Sequence, residues 1–317
     1  MEKTEKPKSS WQERSKDIKH KLHTPFVYVE WHCERLSYRL EHWAFLDILK
    51  YVGRFSILTS IVLGVVVYVM EADERVMQAE NQRKAKHYQA WQVINLAHGK
   101  PGSGGRIDAL RDLNEDRVSL NGVDISNAFL PDIDLKYAKL SYANLSGADL
   151  KNANFSGAEL RKTNLAGADL KIAKFSRADL QRANLSGTNL FLADIFVAQL
   201  QSANLSSAEL PRARLLGANL SGANLNDANL CNTDLSEADL QGADLSRAYL
   251  RETNLWNIRN WEDIESIKFA KIFKVENPPD GFIEWAQKND AMMIESEDQW
   301  EFMLKEERSR KKAKTPQ

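Results

Sequence analysis

The sequence predicts an all-β repeat fold, a coil of short extended sides stacked into a rod, with an N-terminal helical membrane anchor and stalk and helical caps. Three observations predict it. From Asp116 the chain reads in blocks of five, and the fifth residue is Leu in 24 of 28 blocks, with Ile125, Phe155, Phe175 and Ile195 in the rest. The third residue is Ala in 21 blocks and Thr in four, Thr163, Thr188, Thr233 and Thr253. Outside this region lies one long uncharged run, Phe55 to Met70.

A period of five fits neither a helix, whose 3.6-residue turn would smear the leucines round the axis, nor a flat strand, which would put them on alternate faces. Ala and Leu are two apart, so an extended triplet points both inward. The next Ala comes three later, so the chain must turn between them. The turn falls on pairs such as Ser146-Gly147, Ser186-Gly187 and Ser221-Gly222, residue types suited to corners. A chain turning after every five residues winds into a coil with an apolar interior, and stacked coils hydrogen-bond at about 4.8 Å.

The triplets Ala148-Asp149-Leu150, Ala183-Asn184-Leu185, Ala223-Asn224-Leu225 and Ala243-Asp244-Leu245 resemble the A-(D/N)-L-X-X motif of the pentapeptide-repeat family. The resemblance covers 116–255. It implies a right-handed, four-sided parallel β-helix with 20 residues per coil, hence about seven coils and a rod of roughly 34 Å. Residues 20 apart then stack in columns. Phe155 meets Phe175, Asn144 to Asn224 form an asparagine ladder ending in Asp244, and Lys174, Asp194, Arg214 and Asp234 alternate in charge.

Repeat rods need caps over their end coils. Ile107, Leu110 and Leu113 give a short amphipathic helix, the N-cap, preceded by a glycine-rich joint, the two together spanning 99–115. The register breaks at Trp256, and 256–300 reads as an aromatic-rich C-terminal cap containing a helix over Phe282–Lys288. Residues 301–317 read as a solvated basic tail.

The uncharged run 55–70 is apolar on all sides, so a helix there must be buried or in lipid. Extended back to Tyr51, with Arg54 snorkelling, it reaches the ~30 Å of a bilayer core. Arg54 and Glu71 flank the span. Residues 1–54 read as a basic arm and an interfacial amphipathic helix with Val29, Cys33, Leu36, Leu40 and Trp43 on one stripe. Residues 71–98 read as a helical stalk with Tyr88, Trp91 and Ile94 inward. The expected location is a bacterial inner membrane with the chain crossing once. The nearest flanking charges, Lys50 and Arg54 against Glu71, Asp73 and Glu74, place the N-terminus in the cytoplasm.

Little chemistry is encoded. The two cysteines, Cys33 and Cys231, exclude a disulfide framework or a cysteine-built zinc site. His20 and His23 have no further ligands nearby, and residues 99–106 lack the spacing of a phosphate-binding loop. No catalytic, cofactor-binding or metal-binding residues are assigned, and neither nucleic acid nor a small molecule is expected as partner. The expected partners are the bilayer, through 55–70, and a protein or a second copy through the rod. The expected function is a non-catalytic, membrane-anchored interaction scaffold. The alternatives are a DNA-mimicking topoisomerase binder and an accessory subunit of a channel or transporter. The net charge of −1 and the rod's 16 acids against 14 bases disfavour the DNA mimic. Outward positions on the rod are usually small or polar. Ile172, Phe191, Leu192, Phe196, Val197 and Leu216 break that rule and form the candidate interaction patch.

Overall fold

The structure, a computed structural model, describes residues 32–33, 35–37, 55–97 and 104–314, with side chains from 60 in the first long helix and up to 306 in the last. The chain divides into two compact units, Met1–Lys86 and His87–Gln317.

In the first unit, 32–33 and 35–37 are helical, and helix α1, Phe55–Leu96, begins. Among the described residues no helix is long and apolar enough to cross a membrane. The span expected over 55–70 is corrected to that extent. The described side chains of the uncharged run are Ser60–Met70, about 16 Å of helix at 1.5 Å per residue, and Glu71 follows. Arg54, Val29, Leu40, Trp43, His20 and His23 lie outside the described residues.

The second unit is the rod. From Leu120 to Leu255 every third and fifth position of the blocks is buried, forming one continuous apolar core. The fourth residue of each block bridges in parallel to the residue 20 further on, from Asp124↔Asn144 to Asp239↔Arg259. Sides one to four are defined here by the bridging columns that begin at Asp124, Phe129, Asp134 and Lys139. Each corner is a β-turn closed by a bond from the third residue's N–H to the preceding block's fifth carbonyl, as in Ala128 to Ile125 at 3.3 Å. The second corner residue has positive φ at all 29 corners from Arg117 to Asn257, and only eight of these are glycine. This is the arrangement of a type II turn, which needs a left-handed residue at its third position.

The coil's hydrogen bonds run between turns. Leu145 N–H donates to the Asn164 carbonyl at 2.7 Å, and Asn144 N–H to the Val123 carbonyl at 2.8 Å. The fully buried Thr163, Thr233 and Thr253 place their hydroxyls 2.8 Å from the carbonyls of Leu140, Leu210 and Leu230, so no buried donor is orphaned there. The rings of Phe155 and Phe175 stack at 5.1 Å and 11°.

At the N-terminal end, helix α2, Arg106–Glu115, buries Leu110 and Leu113 over the first coil. The last turns of α1 bury Ala90 and Ile94 in the same core, with Trp91 half-buried. Tyr88 is 66% exposed and points away. The inward stripe therefore differs from the expected Tyr88–Trp91–Ile94. Arg106 is buried and donates to the Ala97 carbonyl at 3.0 Å.

At the other end the register break at Trp256 does not end the coil. Arg259 still pairs with Asp239, but Ser266 pairs with Asp244 and Glu276 with Asn254, a spacing of 22. The two extra residues are absorbed by the 3-10 turn Trp261–Asp263. Strand β1 (Tyr249–Arg251) pairs in parallel with β2 (Lys271–Phe273), and β2 with β3 (Met292–Met293). Helix α3, Phe282–Lys288, follows β2 and packs Phe282 and Trp285 against Trp261. Residues expected as a free basic tail are helix α4, Glu297–Lys314. Its Trp300 is buried, stacked on Phe273 at 5.9 Å and edge-on to Tyr249.

The core assignment yields a direct contrast. Leu185→Asp should destabilise the protein by more than about 4 kcal/mol in thermal unfolding, because it buries an unpaired carboxylate. Arg182→Asn, at an exposed left-handed corner, should change stability by less than ~0.5 kcal/mol. Equal losses would contradict the inward and outward assignment.

Candidate interaction surface

The geometry of a corner decides what each outward residue presents. The first corner residue folds back over the side it has just left. Ser156 Oγ donates to Asn154 Oδ1 at 2.7 Å, Ser221 Oγ to Asn219 Oδ1 at 2.6 Å, and Lys151 Nζ lies 2.8 Å from Asp149. The second corner residue, held left-handed, stands at the edge in solvent. The fourth residue of each block projects from the middle of a side.

These rules place the six candidate residues. Ile172 and Leu192 stand at the edge leading into side three, 49% and 44% exposed. Val197 stands at the edge leaving it, 36% exposed. Phe196 and Leu216 are first corner residues after side three and fold over it, half-buried. Phe191 follows side two, so it lies over that side rather than with the other five. No described segment covers Ile172, Leu192 or Val197. The surface is thus side three at mid-rod, framed by apolar residues.

A charged column runs through its middle. Lys174, Asp194, Arg214 and Asp234 are consecutive rungs. Arg214 Nη1 lies 3.8 Å from Asp194 Oδ1, and Ser176 Oγ donates to Asp194 Oδ2 at 2.8 Å. Asp234 accepts from Asn254 Nδ2 at 3.2 Å. Side one differs. There Asn164, Asn184 and Asn204 each donate Nδ2 to the preceding asparagine's Oδ1 at 3.1–3.3 Å, down to Asn144, which donates to Asp124 at 3.2 Å. That ladder saturates its own amides and leaves little for a partner, whereas side three keeps formal charges outward.

The apolar corners carry backbone strain. Ile172 has φ 62° and Val197 φ 53°. A left-handed conformation costs an L-residue about 1–2 kcal/mol, and β-branched residues tolerate it least. Burial within the chain is incomplete at both, with Ile172 49% and Val197 36% exposed, and offsets that cost only in part. Elsewhere the sequence uses glycine where crowding demands it. At Gly157 a Cβ would lie 2.5 Å from the Tyr137 ring of the previous coil.

Two other concavities were candidates for chemistry. A groove of about 520 Å³ runs beneath α4, lined by Glu209, Asp227, Cys231, Tyr249, Arg251 and Trp300 among others. Its charges are paired, Arg251 with Glu252 and with Glu297 at 2.7 Å. Burial pushes the Cys231 thiol up to about 11, so at neutral pH it is protonated and a poor nucleophile. In the first unit, His32, Cys33 and Leu36 line a small apolar cleft of about 70 Å³ with Val65, Val66, Val69 and Met70. Among the described residues no group of three or more His, Cys, Asp or Glu side chains is placed to hold a metal. Neither concavity presents a nucleophile with a base or a set of convergent donors.

The strain at side three makes a prediction. Ile172→Gly should raise unfolding stability by about 1 kcal/mol, by releasing the left-handed β-branched residue. A melting temperature lowered by the substitution would mean that packing within the chain holds Ile172.

The chain's similarities are consistent with this architecture. The model of the family described as pentapeptide repeats matches residues 116–152, 153–190, 198–236 and 232–258. Among solved structures, HetL, a pentapeptide repeat protein involved in heterocyst differentiation regulation from the cyanobacterium Nostoc, is 30% identical. The match covers 44% of this chain and 77% of HetL, with a TM-score of 0.19. A trypsin-treated form of QnrB1, a plasmid-mediated fluoroquinolone resistance protein, is 18% identical over 57% of this chain and 95% of its own, with a TM-score of 0.41. A pentapeptide repeat protein from the Arabidopsis thaliana thylakoid lumen is 29% identical over 34% and 69%, with a TM-score of 0.19. No curated protein matches the chain.

Proposed function

The chain belongs to the pentapeptide-repeat family, and from that premise we propose that it is a non-catalytic interaction scaffold tethered to a membrane. The observation that carries the scaffold reading is side three, where strained, uncovered apolar corners frame a charged column. Solvent-facing apolar groups held at an energetic cost are the mark of a contact surface. A rigid repeat rod presents such a surface without reorganisation on binding, which limits the entropic cost of association.

The tether rests on α1. Ile61, Leu63, Val67, Tyr68 and Met70 are 58%, 66%, 46%, 68% and 59% exposed. At 100° per residue they spread round the helix. Exposed apolar side chains on every side of a helix are unstable in water and are satisfied by lipid. With 55–59 the uncharged run is sixteen residues. Arg54 and Glu71 flank that run in the sequence. A single crossing in a bacterial inner membrane with a cytoplasmic N-terminus accords with the flanking charges.

The rod's charge favours this reading over a DNA mimic that binds a topoisomerase. Residues 136–182 carry nine bases and four acids, while 227–244 carry five acids and no base. The rod thus carries a basic stretch in its first half and an acidic one near its end, whereas imitating a duplex takes uniform negative charge.

The full chain should stay with the membrane fraction after alkaline carbonate, and Val65→Asp with Val66→Asp should release it. Release of the wild-type chain by carbonate would overturn the tether.

A further inference from the structure

We propose that side three is a self-recognition surface on which a second copy of this chain docks antiparallel, about a two-fold axis lying between the Asp194 and Arg214 rungs. The inference rests on the scaffold reading and names its partner.

A two-fold axis lying in the interface and perpendicular to the rods keeps each edge of side three against the same edge of its mate and reverses the order of rungs. Placed between the Asp194 and Arg214 rungs, it sets Asp194 against Arg214 of the second copy. It sets Lys174 against Asp234 of the second copy, and Asn154 against Asn254. The four inner charged rungs then each meet a group of opposite charge and the next pair sets amide against amide, while the outermost rungs, Asp134 and Glu276, set one like-charge pair at each end of the column. Among the described residues Lys174 has no carboxylate within 4.0 Å, so this mate would be its first.

The edge leaving side three provides an independent check, since its residues are not part of the alternating column. The same operation sets Phe196 against Leu216 of the second copy, and Arg177 against Glu237. Both Arg177 and Glu237 are exposed left-handed corners. They lie three rungs apart within one chain, about 14 Å at the coil spacing, so neither serves the other internally. On the opposite edge Leu192 meets the aliphatic stem of Arg212 and Ile172 meets Asn232, leaving no like charges in contact. A parallel arrangement would instead oppose Lys174 to Lys174, Asp194 to Asp194 and Arg214 to Arg214. Like-charge juxtaposition of that kind costs several kcal/mol. The charge pattern therefore selects a mate and an orientation, and the apolar frame supplies the burial. It also accounts for the strained Ile172 and Val197, whose bulk has no function inside the chain.

Complementation tests this with the full chain in detergent. Wild type should have twice the protomer mass in light scattering. Asp194→Arg and Arg214→Asp, each alone, should weaken association roughly a hundredfold or more, since each places like charges in contact twice. An equimolar mixture of the two variants should restore association, because arginine at 194 then meets aspartate at 214 across the interface. Within each variant the two rungs remain alike in charge, so recovery on mixing has no intrachain explanation. Should either variant melt much earlier than wild type, Arg177→Glu mixed with Glu237→Arg provides the same complementation at exposed corners. A monomeric wild type, unaffected single variants, or a mixture that stays dissociated would overturn the proposal. None of these results bears on carbonate resistance, so failure of self-pairing and failure of the tether are read separately.

Discussion

The rod depends on one backbone constraint: the second residue of every corner must hold a left-handed conformation. With that φ the turn closes in four residues and each side is three residues long. The chain then returns above its starting point after 20 residues. The column pairings, the inward Ala and Leu and the stacked Phe155 and Phe175 all follow. The constraint is costly, because only eight of 29 such positions are glycine. It is met because each corner is overdetermined. The bond of the second N–H to the coil above recurs along the rod, joined at most corners by the i to i+3 bond and, at many with Asn or Asp in the fourth position, by its side-chain oxygen capping the next N–H. Ser186 N–H on Asn184 Oδ1 at 3.2 Å is one of many such caps.

That redundancy explains which parts of the fold were legible in the sequence. A structure repeated along one axis writes its rules many times, so a five-residue period exposes inward and outward positions and the asparagine column. The ends repeat nothing. The coil continues past Trp256 because Trp261–Asp263 takes up two residues as a 3-10 turn, and a break in period reads as an end when it is an insertion. The helix α4 looked like a free tail because its composition is mostly charged. Trp300 ties it down by fitting against Phe273 and Tyr249, which only the folded coil brings together, with Met303, Leu304 and the Glu297–Arg251 ion pair beside it. Tyr88 was misplaced for a related reason. Its neighbour Ala90 buries less apolar area than a tyrosine would, but it lets α1 approach the core closely.

The candidate surface was half legible. Apolar residues at corner positions stand out against a polar background, so Ile172, Leu192, Phe196, Val197 and Leu216 were found by exception. The direction in which a first corner residue leans is a property of turn geometry, absent from the periodicity. That is why Phe191 reads as part of the patch in sequence and lies over a different side in the structure. The strain at Ile172 and Val197 was invisible for the same reason. It is the strongest sign that these side chains face outward for a purpose, because burial within the chain offsets it only in part.

Residue-resolved amide hydrogen exchange on the folded chain tests the corner-driven coil most directly. In the interior coils, the second, fourth and fifth amides of each block bond between coils, while the first, absent at Pro131 and Pro211, bonds at most to a side-chain oxygen, in most cases the one two residues back. The account predicts a five-residue rhythm across 120–255, with the first amide of each block exchanging fastest and the fourth and fifth slowest. A rhythm of 3.6 or two residues, or protection without any period of five, would contradict it.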